Sequence, residues 1–183
     1  MRSVCVFCGS NLGARPPYRA AAEAVGRELA GRGLQLVYGG TSVGLMGAMA
    51  DAALAAGGEV VGVLARVVAD REIAHPRLTQ SYLVDSMHER KAKMADLADA
   101  FLALPGGFGT LDEMFETLTW CQLGLQHKPC AFLNVEAYFD PLFHFLDRAV
   151  QEGFVRPEHR AIALTGTDAG PLLDGLTRWR PDS

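Results

Sequence analysis

Three glycines between an apolar run and a helical pattern constrain the fold of this chain more than any other feature. Gly106, Gly107 and Gly109 follow the short apolar run 100–104, which is typical of a buried strand, and precede apolar residues that recur at helical spacing from Leu111. Glycine in such a turn lets backbone N–H groups approach a ligand closely, and the start of a helix attracts anions. We therefore predict a phosphate-binding turn between a strand and a helix.

Glu113 has two interpretations. The first is structural, because Thr110 and Glu113 have the spacing of a capping box, in which Thr110 caps the helix through its hydroxyl and Glu113 completes the pair. The second is chemical, because the same spacing holds a carboxylate beside the predicted phosphate turn. The residues of this segment alone leave both interpretations open.

Strand and helix patterns alternate along the chain. The predicted strands are 3–7, 34–38, 60–64, 81–84, 100–104 and 129–133, and the predicted helices are 18–32, a stretch ending near 56, 87–98, a stretch ending near 123, 138–152 and about 172–179. Residues 65–79 show weak periodicity and are predicted to form a loop with a short turn. This alternation predicts an α/β fold, a three-layer Rossmann-like parallel sheet with helices on both faces. The length, with no linker and no internal repeat, predicts a single domain over residues 1–183.

Two more glycine-rich loops follow predicted strands, one at 9–13 and one at 39–44. Because the carboxyl ends of parallel strands share one edge of the sheet, we expect the three loops to converge on one ligand site. The predicted phosphate-binding positions are Gly9, Ser10, Gly39, Gly40 and Gly106. Neither the dinucleotide pattern G-x-G-x-x-G with its distant acid nor a Walker loop occurs, so a mononucleotide or a sugar phosphate fits better.

Composition narrows the classes of partner. The net charge of −4 gives no general reason to expect nucleic acid, and no apolar run approaches the roughly 20 residues of a membrane span. Cys5 and Cys8 form a C-x-x-C pattern, but Cys5 falls inside the first predicted strand, and Cys121 and Cys130 do not repeat the spacing. We therefore expect buried thiols rather than a redox or zinc site, and no metal. With no signal peptide near Met1, we predict a cytoplasmic protein.

The segment Met87–Lys91 begins the helix that follows the fourth predicted strand. Arg90 and Lys91 point about 100° apart on a helix, so one can face a phosphate while the other meets a carboxylate or solvent. A solvated charged face is the alternative, and the sequence leaves it open. Judged from their local sequence alone, Glu72 is an exposed loop acid and Thr119 is a packed helical threonine.

Together these motifs resemble the LONELY GUY family of cytokinin-activating phosphoribohydrolases, many of which carry the older label lysine decarboxylase-like. The family signature P-G-G-x-G-T-x-x-E matches residues 105–113, and its upstream M-H-x-R-K matches residues 87–91. Shorter matches occur at 6–10, 37–40, 44–47, 72–75, 119–120 and 122–124, so the resemblance spans about residues 4–154. The chain departs from the family at Asn11, Thr41 and Asp112, where serine, glycine and glutamate are common.

The resemblance implies hydrolysis of the N-glycosidic bond of an N6-modified adenosine 5′-monophosphate, with AMP as a related substrate. The products would be the free base, a cytokinin, and ribose 5-phosphate. It also implies a homodimer and no organic cofactor or metal. The substrate-binding positions that it implies are Glu72, Arg90, Lys91, Gly107, Phe108, Gly109, Thr110, Leu111, Asp112, Glu113 and Thr119.

Within this expectation, Arg90 and Glu113 are the predicted catalytic residues. Glu113 would stabilise the charge that develops on the ribose and orient water, and Arg90 would position the substrate and support the carboxylate or the departing base. One alternative is a non-catalytic nucleotide-binding carrier or sensor, which keeps the glycines without needing both residues. The other is a decarboxylase, which needs pyridoxal phosphate on a lysine, and no lysine here has a persuasive setting for it.

Overall fold

Seven short strands form the centre of the structure, a computed structural model that describes residues 1–68 and 73–180. In chain order the strands are β1 (Ser3–Phe7), β2 (Gln35–Tyr38), β3 (Val60–Ala65), β4 (Gln80–Val84), β5 (Ala100–Ala103), β6 (Cys130–Leu133) and β7 (Ala163–Gly166). They form one sheet in the order β4-β3-β2-β1-β5-β6-β7, and every neighbouring pair is parallel. The predicted α/β parallel architecture is confirmed.

Seven α-helices connect and follow these strands in the described part of the chain. They are α1 (Pro16–Gly31), α2 (Gly44–Ala55), α3 (Met87–Leu97), α4 (Phe108–Gln122), α5 (Asp140–Gln151), α6 (Pro157–Arg160) and α7 (Ala169–Arg178). Two short 3₁₀ turns, at Arg66–Val68 and Val135–Ala137, supplement them. The first of these turns lies in the stretch that was predicted to be a loop.

Helices cover both faces of the sheet, which explains why most of its strands are apolar on both sides. On one face, α1, α2 and α7 pack against alternate strand residues, among them Val4 and Val6. On the other face, α3, α4 and α5 pack against the intervening residues, among them Cys5 and Phe7. The two cores therefore follow directly from the period of two along each strand.

The order of the sheet reverses at β1. This strand pairs with β2 on one side and with β5 on the other, so the loops that follow β1 and β5 leave the same edge side by side. Their next helices, α1 and α4, lie on opposite faces of the sheet. A crevice opens at such a switch in strand order, and this crevice contains the site described below.

The edge strand β7 is not predicted from the sequence, because it has only four residues and one large apolar side chain, Leu164. All four cysteines are free thiols, and Cys5, Cys8 and Cys130 are buried as predicted, whereas Cys121 is half-buried. Among the described residues, no helix has the length and apolarity that crossing a membrane requires.

Candidate active site

A crevice of about 390 Å³ opens at the carboxyl ends of β1 and β5, within the size range of small-molecule sites. The loop after β1, the first turns of α2 and α3, and the turn between β5 and α4 form its walls. The lining residues are Cys8, Gly9, Ser10, Asn11, Gly13, Tyr18, Leu45, Met46, Met87, Arg90, Pro105, Gly106, Gly107, Phe108, Gly109, Thr110, Glu113 and Tyr138. Of these described residues, Arg90 and Glu113 are the ones with charged side chains.

Backbone hydrogen bonds join the loops around the crevice through Gly9. The Gly9 amide donates to the Pro105 carbonyl over 3.0 Å, which links the β1 loop to the turn after β5. The Gly9 carbonyl accepts from the Leu45 amide, also over 3.0 Å, which links the same loop to the start of α2. The three glycine-rich loops thus meet at one edge of the sheet, as their positions in the sequence predict.

The glycine turn leads directly into α4, a helix of 15 residues. Gly107 is its N-cap residue and has extended backbone angles, and no side chain caps the helix. The Leu111 amide donates to the Gly107 carbonyl over 3.1 Å, so the amides of residues 108–110 precede this first helical hydrogen bond. Amides in that position, together with the helix dipole, suit an anion.

Thr110 does not cap α4, so the structural interpretation of Glu113 does not hold. The helix begins earlier, because glycine is acceptable as an N-cap and Gly107 takes that place, so Glu113 lies too far along the helix to complete a capping box. Thr110 is instead buried, with 3% of its surface exposed, and packs on Gly106. A Cβ on Gly106 would lie 2.0 Å from the Thr110 hydroxyl oxygen, which explains the glycine at this position.

Arg90 enters the crevice from the first turn of α3 and is only 3% exposed. Its Nε donates to the Val63 carbonyl over 3.0 Å, and its Nη2 donates to the Gly39 carbonyl over 3.2 Å. A Cβ on Gly39 would lie 2.0 Å from Nη2, so a residue without a side chain is needed here. The alternative of a solvated charged face therefore does not apply to Arg90.

Glu113 lines the crevice from the second turn of α4 and is half-buried. Burial and, second, the negative charge of Glu113 raise the pKa of the Cys8 thiol, which also lines the crevice. The same two causes raise the pKa of Cys5, and the charge of Arg90 opposes them. Both thiols are therefore protonated at neutral pH.

The other predicted phosphate-loop residues divide into two groups. Gly9, Ser10, Gly106, Gly107, Phe108, Gly109 and Thr110 line the crevice. Gly39 and Gly40 are not among its lining residues, and the Gly39 carbonyl instead supports Arg90 from behind. Glu72 lies outside the described residues.

Lys91, Leu111, Asp112 and Thr119 lie away from the crevice. Lys91 Nζ is 3.1 Å from Asp112 Oδ2 and 3.1 Å from Glu116 Oε2, so Lys91 ties α3 to α4. Leu111 packs in the core beneath these helices. Thr119 lines a smaller cavity of about 120 Å³ between α4 and the segment that follows α5. Substrate contacts by these four residues stay a prediction.

Two tyrosines line the crevice although no local pattern singles them out. Tyr18 comes from α1, and Tyr138 follows the 3₁₀ turn after β6. Their rings meet edge to face with centroids 5.6 Å apart. Only the folded topology brings them together, since they are far apart in the chain.

Comparison with known proteins decides the family. A family model described as "Possible lysine decarboxylase" matches residues 46–176. A probable cytokinin riboside 5′-monophosphate phosphoribohydrolase of Oryza sativa subsp. japonica, LOGL5, is 49% identical over 180 residues, covering 98% of this chain and 73% of that protein. The cytokinin riboside 5′-monophosphate phosphoribohydrolase LOG7 of Arabidopsis thaliana is 45% identical over 181 residues, covering 99% and 83%. The chain belongs to the LONELY GUY family.

Solved structures show how widely the LONELY GUY fold is shared. The molybdenum cofactor carrier protein of Chlamydomonas reinhardtii superposes with a TM-score of 0.73 at 20% identity, covering 97% of this chain and 99% of that one. The molybdenum cofactor binding protein of Rippkaea orientalis superposes with a TM-score of 0.72 at 19% identity, covering 97% and 96%. At these identities the similarity establishes the fold alone.

The older description of the LONELY GUY family raises the question of a pyridoxal phosphate site, which requires a lysine. The chain has three lysines, all of them in its described part. Lys91 pairs with two acids, Lys128 donates to the Ala95 carbonyl over 2.8 Å, and the Nζ of Lys93 lies 4.4 Å from the centroid of the Tyr82 ring. None of them lines the crevice, so the residues present do not fit pyridoxal phosphate.

Proposed function

We propose that the protein hydrolyses the N-glycosidic bond of an N6-modified adenosine 5′-monophosphate, with AMP as a related substrate. The observation that carries this proposal is one crevice at the start of α4 that is lined by both a buried guanidinium, Arg90, and a carboxylate, Glu113. The products are a free base, which is a cytokinin, and ribose 5-phosphate. Plant relatives that are 45% and 49% identical are named for this activity, which supports the same reaction here.

The 5′-phosphate binds at the start of α4. The amides that follow Gly107 and the positive end of the helix dipole match the charge and the acceptor oxygens of a phosphate. Gly9 and Ser10 form the facing wall of the crevice. The resemblance alone supports further substrate contacts by Glu72, Lys91, Leu111, Asp112 and Thr119.

The reaction adds water across the bond between ribose C1′ and the base nitrogen. Glu113 orients the water and stabilises the positive charge of the sugar in the transition state. The electron pair of the breaking bond goes to the base, which gains a proton, while the water oxygen bonds to C1′ and loses one. Arg90 stays charged throughout and supports the carboxylate and the departing base.

Replacing Glu113 by glutamine tests the central assignment, because Glu113→Gln removes the carboxylate and keeps the size of the side chain. We expect turnover of AMP and isopentenyladenosine 5′-monophosphate to fall ~10²–10⁴-fold, the usual contribution of a positioned acid–base group. Chromatography of the released base measures it, over a panel that also includes nucleosides and lysine.

The matched control is Glu116→Gln, since Glu116 lies one turn further along α4 and pairs with Lys91 outside the crevice. This variant should keep its turnover. Near-normal turnover by Glu113→Gln would remove Glu113 from the chemistry. If the unsubstituted protein binds the nucleotides but releases no base, it is a carrier or sensor instead.

We further propose that the protein acts as a homodimer in the cytoplasm. Large apolar side chains are exposed along α5 and just after it, where Phe145 is 66% exposed and Phe154 is 87% exposed. Exposed apolar surface of this kind marks interfaces, and a second copy is the occupant that the resemblance favours. The free thiols support a reducing compartment.

A further inference from the structure

Tyr138 touches the glycine turn that the proposed function assigns to the phosphate. Its hydroxyl donates to the Gly106 carbonyl over 2.6 Å. Its ring packs edge to face on Tyr18 and on Phe139, with centroids 5.6 and 5.1 Å apart. These ring contacts place the hydroxyl at the glycine turn.

The two residues before Tyr138 have a backbone conformation that residues with a Cβ seldom adopt. Glu136 and Ala137 have φ angles of 54° and 59°, in the left-handed region. Asn134 brackets this segment, because its side chain accepts from the Phe139 amide over 2.8 Å and donates to Asp140 over 2.7 Å. Strain of this kind persists only where the surroundings fix it, and it is concentrated at functional sites.

A second contact holds the same segment. The Arg15 guanidinium pairs with the Glu136 carboxylate, which joins the loop after β1 to the segment after β6. On either side of the two strained residues, Val135 and Phe139 are buried in the core. The segment is therefore fixed on both sides, and Tyr138 contacts the glycine turn from it.

We propose that Tyr138 is a positioning residue for the substrate phosphate. By fixing the Gly106 carbonyl, the phenol sets the peptide plane that precedes Gly107 and so directs the amides at the start of α4 towards the crevice. Gly107 has no side chain to pack, and the place where its Cβ would be is open space, so its peptide planes depend on backbone hydrogen bonds such as this one. The proposal rests on the proposed function for the identity of the anion.

Tyr138→Phe tests the proposal, because it removes the hydroxyl and keeps the ring. Tyr82→Phe is the matched control, since the Tyr82 hydroxyl accepts from Gln80 on β4, far from the crevice. We expect the Kd for inorganic phosphate, measured by isothermal titration calorimetry, to rise roughly three- to tenfold in Tyr138→Phe, as loss of one hydrogen bond predicts. Tyr82→Phe should leave this Kd unchanged.

Kinetics provide the second measurement. Phosphate contacts are the same in the ground state and the transition state, so Tyr138→Phe should raise the KM for AMP about three- to tenfold and leave kcat within about twofold. An unchanged Kd for inorganic phosphate overturns the proposal, and so does a fall in kcat at constant KM. If the unsubstituted protein releases no base, the proposed function fails, and the titration with inorganic phosphate still decides the role of Tyr138.

Discussion

Arg90 is a charged side chain that the fold removes from water, which is costly unless its donors find acceptors. The Val63 and Gly39 carbonyls accept from Nε and Nη2, and the Met87 sulfur lies 3.8 Å from Nη1. These contacts fix the plane of the guanidinium at the wall of the crevice. Position 39 holds a glycine because the Cβ of any other residue would lie 2.0 Å from Nη2 of Arg90.

Gly39→Ala should therefore impair catalysis without touching the substrate. The new methyl group would force the Arg90 guanidinium to move, and a displacement of about 1 Å at a catalytic group can cost about 10²-fold in rate. Steady-state hydrolysis of AMP measures the loss. Gly31→Ala is the control, since a Cβ at the exposed end of α1 meets no atom within 4 Å.

The double variant Gly39→Ala with Arg90→Ala distinguishes displacement of the Arg90 guanidinium from general destabilisation of the fold. If Gly39 acts through Arg90, adding Gly39→Ala to Arg90→Ala should reduce turnover no further. Full activity of Gly39→Ala would show that Arg90 does not need its observed position. Additive losses would show that Gly39 acts on something other than Arg90.

The residues of the candidate site differ in how far sequence can predict them. A carboxylate and an arginine can be assigned to one crevice because each lies close to the end of a strand, where topology decides the location. The hydrogen bond from Arg90 to the Gly39 carbonyl cannot be predicted from the sequence, since it joins residues 51 apart in the chain. The capping-box interpretation of Thr110 and Glu113 could not be excluded from the sequence, because the local pattern does not reveal that Gly107 is the N-cap residue.

At the scale of elements, Lys91 connects the two helices that carry the candidate catalytic pair. Its side chain is 11% exposed and reaches both Asp112 and Glu116 on α4. Burial lowers the pKa of Lys91, but the hydrogen bonds that Lys91 donates to Asp112 and Glu116 outweigh burial and raise this pKa above its ordinary value of 10.5. A group whose pKa is raised by folding stabilises the folded state as long as it is protonated in both states.

Lys91→Met should lower the free energy of unfolding by about 1 kcal/mol near pH 8, because it removes the ion pairs and keeps an apolar stem of similar length. The difference from the unsubstituted protein should persist below about pH 10.5 and shrink as the pH rises through the higher folded-state pKa, where Lys91 loses its proton. Urea unfolding at pH 8 and at pH 11 measures both values.

Arg19→Met is the control for this comparison. Arg19 makes an exposed ion pair with Glu23 on α1, and arginine stays charged at pH 11. The small loss in the free energy of unfolding of Arg19→Met should therefore be the same at pH 8 and at pH 11. A difference for Lys91→Met that is constant with pH would mean that its packing, rather than its charge, holds α3 to α4.

Strands and helices, like the residues of the site, can be predicted from the sequence only where a local pattern marks them. Strands with two buried faces form short apolar runs between turn residues, so β1 to β6 could be predicted to within a few residues. The edge strand β7 is covered less and lacks that signal. The helix predicted from Tyr138 begins instead at Asp140, because Glu136 and Ala137 adopt left-handed angles that no sequence pattern here announces.

At the scale of the whole molecule, the two faces of the sheet differ in what they leave exposed. On the face of α3, α4 and α5, Phe145 extends into solvent from α5 and Phe154 follows shortly after the end of that helix. On the other face, α1 carries the exposed pair of Arg19 and Glu23. This asymmetry is the physical basis of the proposed homodimer.

Phe145→Asp should convert the proposed dimer into single chains, because a carboxylate at the centre of an apolar contact loses its water without gaining a partner. Light scattering coupled to size-exclusion chromatography measures the mass. Ala20→Asp places the same charge on an exposed position of α1 and should leave two chains associated. A single-chain mass for the unsubstituted protein at micromolar concentration would contradict the dimer.

The bond between Gly9 and Pro105 closes the crevice from segments that lie far apart in the sequence. Neither segment forms the pocket by itself, so a nucleotide recognises only the completed fold. At a concentration of about one hundred times its Kd, it adds about 2.7 kcal/mol to the free energy of unfolding. Proteases that cut the opened chain would then work slowest when substrate is plentiful, and the lifetime of the enzyme would follow the supply of the compound it consumes.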